Sequence, residues 1–303
     1  MHTPDDARGG LAALTGATAS MLEREWASPL AAGLHIVATP IGNLADIGLR
    51  ALAVLARADH ICCEDTRHSQ KLLAAYGINA RLSPYHDHNG ARERPKILAW
   101  LAGGASVALI SDAGTPLIAD PGYKLVREAL DAGHRVHAVP GPSAAIAALS
   151  VGGLPTDAFH FAGFLPPKQA ARAARLDDLA PIPATLVLYE TAQRLPQTLE
   201  DLARAMSGRE IAIAREITKR FEEVTCGRLP IPLPETQELK GEFVLLIGPP
   251  EDHRTSEDDI RAALLEALPR LSMRDAVDEV ARTLRVPRRL VYGLALALQK
   301  AEP

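Results

Sequence analysis

The sequence predicts an α/β protein with two α/β domains, the first on a mainly parallel sheet and the second on a mixed sheet, and a small C-terminal helical module. Between residues 34 and 153, short apolar runs alternate with helical stretches, which is typical of a parallel sheet covered on both faces. Residues 154–250 hold more strand-like runs than helical ones. Residues 251–303 begin with an acidic linker and continue with helical periodicity alone, which indicates the helical module.

Residues 1–33 are polar and rich in Ala and Gly, so we expect a disordered leader and not a signal peptide. No apolar run approaches the roughly 20 residues that a membrane span requires. The three cysteines lack metal-ligand spacing, a usage that fits a reducing cytosol. We therefore expect a cytoplasmic protein with no metal and no membrane partner. Because the net charge is −4, any nucleic acid would have to be bound by local basic patches.

The strands of the first domain are predicted at four short apolar runs, namely 34–39, 60–64, 106–112 and 135–140. Its helices are predicted where apolar residues recur with helical period, namely 46–58, 66–77, 91–104, 123–133 and 142–153. Asp46 is predicted as the N-cap of the first helix, and Gly77 as the C-cap of the second. The alternation favours a parallel sheet with helical crossovers.

The second domain is predicted to contain four strands and two helices. The strands are 184–190, 210–216, 221–227 and 241–249, and the helices are 168–180 and 192–206. Helices near 259–268, 273–284 and 287–299 form the module, the last two with the shape of a helix-turn-helix. The module is either a packing unit or a nucleic-acid binder, and four arginines near its turn favour the second reading: Arg282, Arg285, Arg288 and Arg289.

Three predicted strands of the first domain end in loops rich in Gly and Pro, at 39–43, 111–122 and 139–146. In an open parallel sheet, ligands bind beyond the carboxyl ends of the strands. Gly114 allows close approach of the backbone, and Asp112 can accept a hydrogen bond from an amino or hydroxyl group. The sequence lacks GxGxxG and GxxxxGK[ST], and no Lys or Arg lies in these loops. The pattern therefore favours an adenosine with an amino-acid tail over a ligand bound through phosphates.

Polar clusters at CEDTRHS (63–69) and SPYHDHNGARER (83–94) are predicted to face a substrate, with an exposed turn as the alternative. On a strand, His86 and His88 share a face, but no third metal ligand can be identified. In the second domain, apolar strands end at Tyr189 and Glu190 and at Arg215 and Glu216. Three basic residues spaced for one helix face predict a stripe for phosphodiesters or an ordinary solvated face: Lys168, Arg172 and Arg175.

These loops together resemble one known family. The matching stretches are VATPIGNLADI, EDTRH, HDHN, SDAGTPLIADPG, PGPSA, GFLP, YE, ARE followed by TK, and KGEFVL. They are similar, in order from 34 to 250, to the ribosomal RNA small subunit methyltransferase I family of the tetrapyrrole-methylase-like superfamily. The proline-rich loop LPIPLPETQELKG (229–241) departs from the family's pattern in being shorter.

The resemblance implies a tetrapyrrole methylase fold with S-adenosylmethionine bound between the two α/β domains. It implies 2′-O-methylation of the ribose of a decoding-region cytidine in small-subunit (16S) rRNA, with the rRNA or the 30S subunit as partner, and a homodimer. The cofactor-binding residues that it implies are Pro40, Ile41, Gly42, Asp112, Ala113, Gly114, Ile118, Ala119, Ser143, Tyr189 and Ala214.

Methylation of a ribose hydroxyl requires close positioning, and it benefits from a base or from a cation that stabilises the developing alkoxide. Our candidates are Glu64, Arg67, His88, Glu216 and Lys219, with Asp65 and His86 beside them. The sequence does not choose among these candidates. Arg67 and Lys219 could equally hold RNA phosphate.

Three alternatives remain. A tetrapyrrole methylase that acts on a carbon of a precorrin or uroporphyrinogen resembles V-G-A-G-P-G-D at the first loop, and it lacks the C-terminal module. Diphthine synthase is disfavoured on the same grounds. The third alternative is a non-catalytic RNA-binding or assembly factor with a degenerate cleft, which the intact loops at 40–43 and 112–114 disfavour.

Overall fold

The computed structural model describes residues 4–232, 240–250, 257–284 and 286–301. The chain divides into two compact units, residues 1–248 and residues 249–303. The first unit contains two five-stranded sheets. The described part of the second unit is helical. The predicted domain boundaries at 34, 154 and 251 remain predictions.

The first sheet is entirely parallel, with the strand order β3-β2-β4-β1-β5. Its strands are β1 Gly33–Val37, β2 His60–Cys63, β3 Leu82–Pro84, β4 Ser106–Leu109 and β5 Val136–Val139. The helices of this region are α1 Pro4–Ala27, α2 Leu49–Arg57, α3 Thr66–Ala75, α4 Gly90–Ala102, α5 Tyr123–Asp131 and α6 Ala144–Val151. Neighbouring residues of β2 pack in different buried clusters. Ile61 packs in a cluster with Leu55 and Leu73, and Cys62 packs in another with Ile97. Both faces of the sheet are therefore covered, as the apolar strands predicted.

The second sheet is mixed, with the order β6-β7-β10-β8-β9. Its strands are β6 Phe159–Phe164, β7 Thr185–Thr191, β8 Glu210–Arg215, β9 Glu223–Arg228 and β10 Glu242–Ile247. β6 and β7 are parallel, and the other pairs are antiparallel. Its helices are α7 Gln169–Leu179 and α8 Leu195–Ala205. The mixed sheet confirms the predicted fold class.

Helix α6 joins the two sheets. Ala145, Ala148 and Leu149 of α6 pack in one buried cluster with Val244 and Leu246 of β10. This helix follows β5 of the first sheet, so its packing on the second sheet holds the carboxyl ends of the parallel strands close to the second sheet. The cleft described below lies at this junction.

Four local features of the structure differ from what the sequence predicted. Residues 4–27 form α1 where composition predicted a disordered leader, and the carbonyl oxygens of Trp26 and Ser28 accept hydrogen bonds from Arg57. Asp46 ends a 3-10 turn and does not cap α2, which begins after Gly48. The strands β3 and β6 were not predicted. β3 has three residues including a proline, and β6 is interrupted by a bulge at Gly163.

The second unit contains α9 Glu257–Ala267, α10 Met273–Thr283 and α11 Arg288–Ala301, which confirms the predicted helical module. Its buried core is formed by apolar residues of all three helices, including Ile260, Val277 and Val291. Arg288 pairs with Asp278 across the turn between α10 and α11. Arg285, residues 251–256 of the acidic linker and residues 233–239 of the proline-rich loop lie outside the described residues.

Candidate functional site

A cleft of about 280 Å³ opens between the two sheets of the first unit. One wall is made by loops at the carboxyl ends of β1, β4 and β5, and the other by β6, β7, β8 and β10 with the loop after β8. Predicted site residues that line the cleft are Ile41, Asp112, Ala113, Gly114, Ile118, Ala119, Ser143, Tyr189, Ala214, Glu216 and Lys219. The structure therefore brings residues from distant segments of the sequence into one site.

Hydrogen bonds fasten the loops of the first wall to one another. The backbones of Thr39 and Gly114 exchange two hydrogen bonds, of 2.8 and 3.1 Å. The buried hydroxyl of Thr39 also donates to the carbonyl of Ser111 at 3.3 Å, and Thr115 donates to the carbonyl of Pro142 at 3.0 Å. The wall is thus ordered before a ligand arrives, which lowers the entropic cost of binding.

Strained backbone occurs in the loops on both sides of the cleft. Leu117 and Ala119 have φ of 74° and 64°, and across the cleft Glu216 and Thr218 have φ of 50° and 66°. Positive φ is uncommon for residues other than glycine and costs on the order of 1–3 kcal/mol each. Such strain concentrates at functional sites, where surrounding contacts hold a side chain in a required position.

The carboxylates of Glu216 and Glu242 hold the ammonium group of Lys219, at 2.9 Å each. Burial opposes both charges, yet these ion pairs raise the pKa of Lys219 and lower that of Glu216. Lys219 also packs over Gly42, where an added Cβ atom would clash with the Lys219 Cγ. Lys219 is therefore a fixed cation that links the two walls. Neither it nor Glu216 is suited to take a proton near neutral pH.

Acidic residues gather on the opposite wall. The amide of Asp65 donates to the Oδ1 atom of Asp112 at 3.1 Å, which fixes that carboxylate. Burial, and next the charge of Glu64, raise the pKa of Asp120 to about 6, and Asp112 adds to this while a hydrogen bond from Ser111 opposes it. Burial and the charge of Asp112 also raise the pKa of Glu64. This wall therefore has negative potential and favours a cationic ligand group.

Tyr189 forms the apolar floor of the cleft. Its hydroxyl accepts a hydrogen bond of 3.2 Å from the amide of Ala145 at the start of α6. Its ring meets Phe161 and Phe164 edge-to-face, with centroids 5.1 and 5.6 Å apart. Phe164 also lines the cleft with half of its surface exposed, so it offers an aromatic face to a ligand.

Five predicted site residues do not line the cleft, namely Pro40, Gly42, Glu64, Arg67 and His88. Pro40 and Gly42 flank Ile41, and Glu64 acts on the cleft through its charge on Asp120. The Arg67 side chain is 88% exposed and pairs with Asp65 at 2.9 Å. His88 is also exposed, with its ring 6.0 Å from that of His86.

The predicted basic stripe on α7 is wrong. Arg172 is buried and forms an ion pair of 2.6 Å with the buried Asp201 of α8. Lys168 is exposed and Arg175 is half-buried. The helical spacing is real, but one of its three members faces the core, so the stripe cannot present three charges to a phosphodiester backbone.

Several lining residues were not predicted, chiefly Asp120, Phe164, Thr191 and Glu242. Asp120 is the second acid of SDAGTPLIADPG, and Phe164 lies in GFLP, so both stand in stretches that already carried the resemblance. Glu190 also lines the cleft, but its carboxylate accepts hydrogen bonds from the Thr191 amide and from the Thr198 hydroxyl, and the second bond links β7 to α8. Among the described residues, no three His, Cys, Asp or Glu side chains are grouped as metal ligands.

Comparison with solved structures supports the fold. Uroporphyrin-III-C-methyltransferase from Thermus thermophilus aligns with a TM-score of 0.52 and 23% identity, over 72% of this chain and 94% of that chain. A conserved hypothetical protein from Aeropyrum pernix K1 aligns with a TM-score of 0.57 and 18% identity, over 90% of this chain and 100% of its own. At these identities the similarity shows the fold alone.

Residues 33–232 match the family described as Tetrapyrrole (Corrin/Porphyrin) Methylases. A protein named Ribosomal RNA small subunit methyltransferase I from Mesorhizobium japonicum is 48% identical, over 90% of this chain and 94% of its own. The chain belongs to the ribosomal RNA small subunit methyltransferase I family. A relative of the same name from Xylella fastidiosa is 47% identical, over 86% of this chain and 97% of its own.

Membership of the ribosomal RNA small subunit methyltransferase I family makes this chain a methyltransferase. Its helical module matches the RsmI C-terminal HTH domain at residues 254–299. These findings argue against the alternative of a non-catalytic assembly factor. The matched relatives are named as methyltransferases, and the alignment covers nearly their whole length. In the described part of the chain, no helix combines the length and the apolarity needed to cross a membrane.

Proposed function

We propose that this enzyme transfers a methyl group from S-adenosylmethionine to the ribose 2′-hydroxyl of a decoding-region cytidine in small-subunit (16S) rRNA. The observation that carries the proposal is a preformed cleft with one acidic wall and one apolar floor, in a chain whose relatives are named for methylation of small-subunit rRNA. The acidic wall suits a sulfonium cation, and the aromatic floor suits a nucleoside.

The residues of the cleft fit S-adenosylmethionine. Gly114, with φ of 79°, exposes its backbone beside Ile41, and a Cβ there would lie 3.2 Å from the Ile41 Cγ2. The carboxylate of Asp112, fixed by the Asp65 amide, can accept a hydrogen bond from the ligand's amino group. The bound cofactor supplies a methyl group already activated by its positive sulfur. The cleft residues have to hold that group in line with the ribose oxygen and exclude water.

Substrate binding is assigned to the open side of the cleft and to the helical module. Phe164 can stack on a nucleobase turned out of its helix, as enzymes acting on single nucleotides require. Arg289 at the start of α11 is exposed and available to phosphate. We assign the enzyme to the cytoplasm, because assembling ribosomal subunits are found there. We also propose that it forms a homodimer, which light scattering in solution would test.

The proposal is tested with small ribosomal subunits that lack their native methylation. They are incubated with the enzyme and S-adenosylmethionine carrying a labelled methyl group, and the rRNA is digested to nucleosides and analysed by mass spectrometry. We expect the label in 2′-O-methylcytidine. Label in a methylated base would contradict the ribose assignment, and absence of labelled RNA despite tight cofactor binding would contradict the substrate.

The cofactor site is tested by Asp112→Asn, which keeps an oxygen for the Asp65 amide and removes the charge. We expect weaker binding of S-adenosylmethionine, on the order of tenfold, since a charge-assisted hydrogen bond contributes about 1.5–3 kcal/mol. RNA affinity should change little. Asp131→Asn, an exposed acid on α5, is the control with the same change in net charge. Equal loss of cofactor and RNA binding would contradict the assignment of this loop.

A further inference from the structure

The loop between β8 and β9 stands at the rim of the cleft. Its residues Glu216, Ile217 and Lys219 line the cleft. The tip of the loop, Arg220 and Phe221, is exposed and does not line it. The Phe221 side chain has 70% of its surface in solvent. The loop therefore presents an aromatic ring and a cation beside the opening of the site.

Hydrogen bonds hold this loop in one shape. The amide of Thr218 donates to the Glu222 carboxylate at 2.6 Å, and the amide of Glu222 donates to the carbonyl of Lys219 at 3.2 Å. The Lys219 amide donates to the carbonyl of Glu216 at 3.0 Å. These bonds retain the strained backbone at Glu216 and Thr218, where φ is positive. The tip is thus ordered before a ligand binds, which lowers the entropic cost of binding through it.

The tip combines an aromatic face with a positive charge. The guanidinium carbon of Arg220 lies 5.6 Å from the centroid of the Phe221 ring. The neighbouring acids are engaged elsewhere, Glu222 by a backbone amide of the loop and Glu223 by Arg215 at 3.8 Å. Among the residues that the structure describes, no acid forms an ion pair with Arg220. Aromatic rings that stack on bases, beside cations that contact phosphate, are how proteins bind single-stranded nucleic acid.

The tip lies at the same edge of the second sheet as Phe164. Strands β6, β7 and β8 run in one direction, because β6 is parallel to β7 and because β10 is antiparallel to both β7 and β8. The end of β6, which carries Phe164, and the loop after β8 therefore share one edge. In the order β6-β7-β10-β8 the two strand ends are three strand spacings apart, about 14 Å. An extended RNA strand with one base on Phe164 can therefore reach the tip with a neighbouring base.

We propose that the tip binds the RNA strand next to the target nucleotide: Phe221 stacks on an unpaired flanking base, and Arg220 contacts a phosphate of the same strand. This inference rests on the function proposed above, which places a nucleobase on Phe164. No covalent bond forms or breaks at the tip. Its role is to fix the position of the strand, because a base held at the rim limits which neighbour can enter the cleft.

The test measures the binding of unmethylated small ribosomal subunits to the full-length enzyme in the presence of S-adenosylhomocysteine. Phe221→Ala should weaken this binding about 10- to 100-fold, the usual effect of removing one stacked base. Its affinity for S-adenosylmethionine should stay at the wild-type value. Phe221→Tyr keeps an aromatic ring and should bind as the wild type does. Phe159→Ala is the matched control, because Phe159 is also exposed but begins β6, at the opposite edge of the sheet.

Salt dependence separates the two residues of the tip. Arg220→Ala should reduce the slope of log affinity against log salt concentration by about 0.7, the value for one phosphate contact of a single strand. Phe221→Ala should leave the slope unchanged, since stacking releases no counterions. An unchanged slope in Arg220→Ala would overturn the assignment of a phosphate to that residue.

Wild-type binding by Phe221→Ala would overturn the proposal, as would an equal loss in Phe221→Tyr or in Phe159→Ala. A smaller oligomer in Phe221→Ala, measured by light scattering, would also overturn it, because the tip would then contact a second copy of the chain. Failure of the proposed function would look different, since it is measured by methyl transfer. In that case the wild type would place no label on ribose, while the loss of subunit binding in Phe221→Ala would still support the tip as an RNA contact.

Discussion

Replacing Asp120 with Asn should make the protein more stable at alkaline pH. The pKa of this carboxyl group rises from an ordinary 3.8 to about 6 on folding. A rise of roughly 2 pH units corresponds to about 3 kcal/mol, at 1.36 kcal/mol per unit. Asp120 is only partly buried, so solvent screening reduces this, and we expect about 1 kcal/mol.

The sign follows from the direction of the shift. Because the folded protein holds this proton more tightly than the unfolded chain, stability declines as pH rises from about 4 to about 6, and the full penalty persists above pH 6. Asn carries no charge and avoids the penalty. Asp120→Asn should therefore exceed the wild type by about 1 kcal/mol at pH 8 and by much less at pH 4.5.

Urea unfolding followed by tryptophan fluorescence measures this difference. Both tryptophans, Trp26 and Trp100, lie in the first unit, so the signal reports on the unit that contains Asp120. Asp131→Asn, an exposed acid, serves as the control and should show no such pH dependence. Equal stabilities of Asp120→Asn and the wild type at pH 8, or a loss of stability at both pH values, would refute the reasoning.

Two further predictions concern packing. Gly42→Ala places a Cβ against Lys219 at a φ of 143°, so it should lower the free energy of unfolding by about 1–3 kcal/mol. It should also weaken the binding of S-adenosylmethionine, measured by calorimetry. Wild-type affinity in this variant would contradict the contact. Arg172→Ala leaves Asp201 buried without its main partner and should cost about 3–5 kcal/mol in urea unfolding. Arg175→Ala is the control, and equal losses in the two variants would contradict the buried pair.

Fold class and most strands could be predicted because the pattern of apolar residues reflects burial directly. β4 is buried at all four positions, and the run Val107–Leu109 is apolar, so its burial can be predicted from the sequence alone. β3 and β6 could not be predicted in this way. β3 is a three-residue edge strand that ends in proline, and β6 is interrupted at Gly163, so neither presents a regular repeat.

The leader helix α1 was missed for a different reason. Gly9, Gly10 and Gly16 lower its intrinsic propensity, and several of its apolar residues are exposed, including Leu11 and Leu14. A sequence with weak propensity and no clear apolar face indicates disorder, although the structure places these residues in a helix.

Gly114 and Asp112 could be predicted as site residues because the sequence of their own loop, rich in Gly and Pro after a strand, indicates ligand binding. Asp120 was missed because its environment depends on Glu64, which is distant in the sequence, and proton affinity is set by such neighbours. Arg172 was misassigned since spacing identifies a shared helix face and does not show whether that face is buried. Residues of the same type thus acquire different roles from contacts that only folding creates.

The most direct measurement is a crystal structure of the protein with S-adenosylhomocysteine bound. We expect the ligand in the cleft between the two sheets, with its amino group near Asp112 and its aromatic base against the apolar floor. Its sulfur should lie against the acidic wall, on the side that a ribose hydroxyl can approach. A ligand bound elsewhere, or a sulfur placed against Lys219 on the opposite wall, would contradict the proposed function.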